Sequence, residues 1–223
     1  VRVFCPPYSA IGQNWREKMT HLKNAYVQLG WRNQYCGIFY CEKGGVTYYF
    51  IDNEYYFART QLYGEYDDAE RFAYFSKAVL EILPDLDWKP DVIHCNDWQT
   101  ALVPVYYNLM FAGRPDYANI KTVFTIHNIA FQGRYGRDVL EYVFGIDDAH
   151  FRSGFMEMDG DVNLMKAAIL ASGAVTTVSP SYAEEIQTPY YGHGLDSILR
   201  NNSYKLHGIL NGIDMTAFNP ATD

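Results

Sequence analysis

No stretch of this 223-residue chain approaches the roughly 20 consecutive apolar residues that a membrane-spanning helix requires. The longest apolar reach, 167–183, is broken by Ser172, Gly173, Thr176, Thr177 and Pro180. No secretory leader is visible, since the chain opens on the strand-like "VRVFC". With Val rather than Met at position 1, a piece of a longer polypeptide is expected. Clusters of Lys and Arg are also missing, and the net charge is -8. Neither nucleic acid nor an anionic membrane surface is therefore expected as a partner. Cysteine is scarce: Cys5, Cys36, Cys41 and Cys95 form no C-x-x-C pair, and each lies in an apolar, strand-like neighbourhood. That usage predicts buried, reduced thiols in an intracellular protein.

The common chemical signatures are absent too. There is no H-E-x-x-H or Cys/His pattern, and no helix face gathers two of His94, Asp97, His127 and His193, so no metal site is expected. A nucleophile elbow, a P-loop and a G-x-G-x-x-G fingerprint are likewise missing, and no cofactor is expected.

What is present is enough apolar material for a substantial core, 48% hydrophobic against 20% charged, in one large domain or two small ones. "QYCGIFYC" (34–41) and "VTYYFIDN" (46–53) read as two strands joined by a turn at Glu42–Gly45. The stretch 67–83 carries apolar residues at helical spacing, with Asp67 or Asp68 as N-cap and Pro84 as terminator. Residues 14–30 give no clear period. Beyond them the pattern alternates: strand 91–96, helix 98–113 with Pro104 either kinking it or marking its first turn, and strand 120–128. Helix 163–174, strand 174–179, a helix opening at Pro180–Ser181 and a last strand at 206–210 complete it. Nearly all-apolar strands alternating with helices predict an α/β fold, a doubly wound parallel sheet covered on both faces.

In such sheets ligands bind beyond the carboxyl ends of the strands. The groups delivered there are Asn96–Asp97, His127–Asn128, Ser179–Pro180–Ser181 and Asn211–Gly212–Ile213–Asp214. One polar end means little, because turns into helices favour Asn, Asp and Ser as caps. Four together point to a site along that edge. Asp97 reads either as a carboxylate acting on substrate or as the N-cap of the helix at Trp98, with the local sequence favouring the cap. His127 reads either as a substrate group or as a satisfied core histidine. His94, inside a strand, is expected to be structural. Tyrosine is abundant, with 20 residues, and its flat apolar face and hydroxyl suit sugar rings, although most of these rings are expected to pack under loops.

Longer words in the chain carry a resemblance. "KPDVIHCNDWQTALVPVY", "TVFTIHNIAFQGRYG", "GDVNLMKAAILASGAVTTVSPSYAEEI" and "GILNGIDMTAFNPATD" closely resemble bacterial glycogen synthases and plant starch synthases, glycosyltransferase family 5. "VRVFCPPYS" and "LYGEYDDAERFAYFSKAVLE" fit the same family in the same order. The resemblance implies a GT-B architecture of two Rossmann-like domains. Residues 1–223 would be the amino-terminal, acceptor-side domain, short at both ends. Retaining transfer of glucose from ADP-glucose to an α-1,4-glucan is implied, without a metal, in the bacterial cytoplasm or the plastid stroma of a plant. His127 is implied to reach the donor glucose and Asp97 to give orientation and electrostatic support. Asn128, Asn211 and Gly212 would line the same cleft. Two departures stand out. Many members carry His where this chain has Gln99, which hydrogen-bonds but cannot be protonated. The K-x-G-G-L loop of the first βα unit has no counterpart here, nor has the nucleotide-binding second domain, so no transfer is expected from these residues alone. The rival readings are another GT-B nucleotide-sugar transferase, a non-catalytic glucan-binding module using the Tyr-rich surface, and a structural domain whose polar strand ends are only caps.

Overall fold

In the computed structural model, which describes residues 1–222, the first half of the chain builds one four-stranded sheet. β1 (Arg2–Cys5), β2 (Thr20–Leu29), β3 (Arg32–Lys43) and β4 (Val46–Asp52) lie in the order β1-β4-β3-β2. β3 and β4 form the expected hairpin, with Lys43 opposite Val46. β1 joins β4 in parallel, Cys5 opposite Phe50. Residues 14–30, unclear by pattern, form the short helix α1 (Gln13–Arg16) and the edge strand β2, whose register slips between His21 and Lys23. A one-turn helix, α2 (Glu54–Phe57), follows β4 and is capped by the Asn53 side chain, which accepts the Tyr56 N–H.

The long helix α3 (Asp68–Glu81) arises where expected and buries Phe72, Phe75, Val79 and Leu80, each contributing about 1.5–3 kcal/mol on burial. Asp67 stands at its N-cap, but neither it nor Asp68 caps the helix with its side chain. Asp67 pairs with Arg59, and Asp68 holds the Nε of Arg71 at 2.8 Å. Arg71 is 0% exposed, so its charge persists in the interior only because every side of the guanidinium is partnered. It also donates to the carbonyls of Leu62 at 2.6 Å and Tyr56 at 3.2 Å. Asp68 in turn accepts the Gly64 N–H at 2.6 Å, so this buried pair pins the loop 58–67 to α3.

The second half alternates as its pattern requires. β5 (Val92–Asn96) leads through a 3-10 turn to α4 (Leu102–Tyr106), whose continuation at Tyr107–Phe111 widens to a π-turn, and then to β6 (Lys121–Ile126). Pro104 falls in the first turn of α4, where the missing N–H costs nothing. β7 (Arg134–Tyr135), the short helix α5 (Ala149–Arg152), β8 (Glu157–Met158) and β9 (Asp161–Asn163) form a small antiparallel excursion. The chain returns through α6 (Leu164–Ala171), β10 (Ala174–Thr177), α7 (Pro180–Glu185), α8 (Asp196–Asn201) and β11 (Leu206–Gly208). The second sheet is entirely parallel, in the order β11-β10-β6-β5.

Register places Cys95, Phe124 and Val175 on one face, all buried in the core that contains α3, α4 and α6. The opposite face carries His94, Val123 and Thr176 and is more open, with Val92 50% exposed. α3 packs on α4 and also touches β2 and β4, while α4 packs on β6, so α3 and α4 together link the two sheets. Among the described residues, β1 and β5 are edge strands paired on one side only. Between them runs an apolar slot of about 460 Å³ lined by Val3, Phe4, Ile93 and Cys95, with Phe75 and Val79 of α3. Cys36, Cys41 and Cys95 are buried, Cys5 is half-buried, and all four are free thiols. Burial, with a smaller contribution from Cys41, pushes the Cys5 thiol up to about 12.

Candidate functional site

At the carboxyl ends of β5 and β6 the chain must turn out of the sheet, and two adjacent residues of β5's end reach across to β6's. Asn96 and Thr125 are register partners, and the Asp97 N–H continues the ladder to the Thr125 carbonyl at 3.0 Å. Asp97 then adopts φ 56 and ψ 179, a region that only glycine enters without cost. The turn aims its carboxylate sideways: Oδ1 accepts the backbone N–H of His127 at 2.9 Å. The cap reading of Asp97 holds for its backbone position alone. It occupies the N-cap position of the turn at Trp98 but makes no capping bond, because its side chain is spent on the neighbouring strand.

His127 is exposed, which removes the core-histidine reading. Its Nε2 lies 3.0 Å from the Asn96 Oδ1. His94 behaves as a structural residue. Its Nε2 bonds Thr125 Oγ1 at 2.6 Å, and Thr125 Oγ1 meets Thr176 Oγ1 at 2.5 Å, tying β5, β6 and β10 together on the open face. Burial first, and the neighbouring His127 second, hold the His94 imidazole below its ordinary value.

Asn128 closes a tight turn, its Oδ1 accepting the Ala130 N–H at 3.0 Å. The following loop is fixed from several sides. Ile129 N–H donates to the Tyr182 hydroxyl of α7. Buried Gln132 donates to the carbonyls of Ile129 and His193 and receives the Asn163 amide at 2.6 Å. Gly133 has φ +63, and a Cβ there would come within 2.9 Å of the Trp98 ring, so glycine is required for both reasons.

The result is a cleft of about 220 Å³ lined by Tyr63, Asp97, Trp98, Gln99, Asn128 and Phe131. A second hollow of about 450 Å³ shares Trp98 and Phe131 and reaches Arg134 and His193. Tyr63 and Phe131 are 52% and 56% exposed, so two aromatic rings stand at the solvent edge of a polar floor. Such an arrangement suits a sugar, with apolar faces for the ring and amides and a carboxylate for its hydroxyls. Neither aromatic was singled out from the sequence. Tyr63 sits in the loop pinned by Arg71 and Phe131 in the loop pinned by Gln132, and only those tertiary bonds bring them to the cleft.

Asp97, Gln99 and Asn128 therefore share one cleft, with His127 hydrogen-bonded at its edge. The other two strand ends behave differently. Ser179 is a cap, accepting the Tyr182 N–H at 2.9 Å. Asn211 and Gly212 lie beyond β11 in an exposed stretch and are not among the residues that line the cleft. Asp214 turns back on its own backbone, and the N–H groups of Ala217 and Thr216 hold its carboxyl below the usual range.

Residues 1–201 match the starch synthase catalytic domain family. A glycogen synthase of Clostridium perfringens is 51% identical over 222 residues, covering 100% of this chain and 46% of the relative. A glycogen synthase of Anoxybacillus flavithermus is 50% identical over 223 residues, again 100% of this chain and 46% of the relative. Among solved structures, the catalytic domain of starch synthase IV from Arabidopsis thaliana, bound to ADP and acarbose, superposes with a TM-score of 0.87. That structure is 36% identical and covers 100% of this chain, which spans 46% of it. The chain thus spans under half the length of these relatives.

Proposed function

This chain belongs to the starch synthase catalytic-domain family, glycosyltransferase family 5, and on that premise we propose that it is the acceptor-side part of a retaining glucosyltransferase that elongates an α-1,4-glucan from ADP-glucose. The observation that carries the reading is the clamp at the sheet's carboxyl edge, where Asp97 leaves ordinary backbone geometry to fix His127 beside a sugar-sized cleft. ADP-glucose as donor and glucan as acceptor accord with the ADP and acarbose bound by the Arabidopsis structure.

In the transfer, the bond from the glucose C1 to the diphosphate breaks. A bond from C1 to the acceptor oxygen forms on the same face, and the acceptor hydroxyl gives its proton to the departing diphosphate oxygen. His127 holds a hydroxyl of the donor glucose. Asp97 fixes His127 through its backbone N–H, and its negative charge favours the positive charge that develops at C1. Asn128 and Gln99 hold glucan hydroxyls, with Tyr63 and Phe131 against the ring faces. Gln99 supplies hydrogen bonds only and takes no part in proton transfer. Asn211 and Gly212 line the same cleft in the full-length parent.

The organisation of the parent protein follows the same reading. The slot between β1 and β5 receives the strand of a preceding βα unit, which merges the two sheets into one. Support comes from its walls, two unpaired strand edges over the apolar surface of α3.

The test is incorporation of labelled glucose from ADP-glucose into glycogen by the full-length parent. His127→Ala and Asp97→Ala should each lower turnover by roughly 10²-fold or more with the fold intact. Near-wild-type turnover in either sinks the assignment. The 223-residue chain alone should transfer nothing, and elongation by it would refute the division of labour between the two domains. UDP-glucose, offered in place of ADP-glucose, tests the donor.

A further inference from the structure

His127 is held at two points by consecutive residues of β5's end. Asp97 takes its backbone N–H at 2.9 Å and Asn96 takes its ring at 3.0 Å. A backbone anchor alone leaves the side-chain torsions free to hop between staggered wells. The ring contact selects one of them.

Asn96 is itself braced. Its backbone N–H donates to Thr100 Oγ1 at 2.6 Å, and the same hydroxyl donates back to the Asn96 carbonyl at 2.8 Å. The nearest competing imidazole cannot exchange partners with His127, because the His94 Nε2 is occupied by Thr125 Oγ1.

A neutral imidazole has one nitrogen that donates and one that accepts, and the partner of one decides the role of the other. Here the carboxamide oxygen faces Nε2. We propose that Asn96 is a positioning residue that keeps the His127 proton on Nε2, leaving Nδ1 as a hydrogen-bond acceptor for a substrate hydroxyl. This rests on the reading of His127 as a sugar-binding group. It adds which ring nitrogen does the work, what direction the hydrogen bond runs, and which residue enforces it.

Three measurements on the full-length parent test it. Nitrogen-15 spectra of histidine-labelled protein, with His127→Gln to assign the resonance, should show a protonated Nε2 and a bare Nδ1. A protonated Nδ1, or averaging between the two forms, overturns the proposal.

Asn96→Leu should lower kcat by roughly tenfold or more with little change in the KM for glucan. Asn96→Asp, which keeps an acceptor oxygen at the same place, should restore most of the loss. If Asn96→Leu stays within about twofold of wild type, or if the Asp variant is as poor as the Leu variant, the oxygen is not the working group.

In a His127→Ala background, Asn96→Leu should subtract nothing further. An additional loss would mean that Asn96 acts on substrate by itself, and the proposal falls. If His127→Ala alone leaves turnover intact, the functional reading of the cleft fails, while the spectra still decide the tautomer independently.

Discussion

Asp97 is a carboxylate-bearing residue in a backbone region that normally belongs to glycine. The strain is offset by the bond it makes to His127 and by the ladder bond of its own N–H to Thr125. The two contributions separate by substitution. Asp97→Gly and Asp97→Ala both lose the carboxylate, but only alanine keeps a Cβ in the strained conformation. Asp97→Gly should therefore be more stable than Asp97→Ala by about 1–2 kcal/mol, read from thermal or urea unfolding, although both lose turnover. Equal stability would show that the turn is not strained. His94 supplies a pH dependence. The fold depresses its affinity for protons, so the unfolded chain binds a proton more readily. Its contribution is complete above the unfolded value, about 6.5, and is lost as the pH falls through the lowered folded one. His94→Gln keeps a partner for Thr125 and should flatten the fall in urea midpoint below about pH 6.5. An unchanged slope would assign the acid sensitivity elsewhere.

At the scale of elements, Arg71 on α3 determines where the loop bearing Tyr63 lies. Arg71→Met keeps much of the volume but strands the Asp68 carboxylate and frees the carbonyls of Tyr56 and Leu62. Breaking a buried pair from one side costs about 3–5 kcal/mol, measurable as a lower urea midpoint. Glucan affinity should weaken as well, since Tyr63 loses its support; full affinity would remove Tyr63 from the binding surface.

The same contrast explains what was legible in the sequence. α3, the β3–β4 hairpin and the parallel strands announce themselves because period and burial coincide, as in "VTYYFID" and "KTVFTI". β2 did not, because it is an edge strand whose first seven residues include no fully buried side chain, and its register slip breaks the alternation. Asp67 and Asp97 take the expected N-cap positions, but neither caps with its side chain, for one physical reason. Each stands at an N-cap position, but each carboxylate finds a stronger or better-placed partner across the fold, Arg59 in one case and the His127 amide in the other. Local sequence lists the candidates for a cap but not their competitors.

On the scale of the whole molecule, apolar surface remains uncovered. The slot between β1 and β5 is one such surface. The segment after β11, with Leu210, Ile213, Met215 and Phe218 exposed, is another. Unpaired strand edges beside apolar side chains invite pairing between chains. Size-exclusion chromatography of the 223-residue chain should show concentration-dependent self-association, and a sharp monomer peak at all concentrations would contradict it. The thiols report on the interior in the same sample. Cys36 and Cys95, buried and with ionisation suppressed by burial, should react with a thiol reagent only on the timescale of unfolding.

The position of α3 bears on how the protein comes apart. With β1 and β5 unjoined, the first sheet rests on α3 and the second on α4, and the packing of α3 on α4 links them. Cooperativity across so narrow a link is incomplete, and hydrogen exchange should resolve the sheet of β1–β4 and the parallel strands β5, β6 and β10 as separate opening units. A strand laid between them would give each sheet a hydrogen-bonded neighbour in the other, and the two openings should fuse into one.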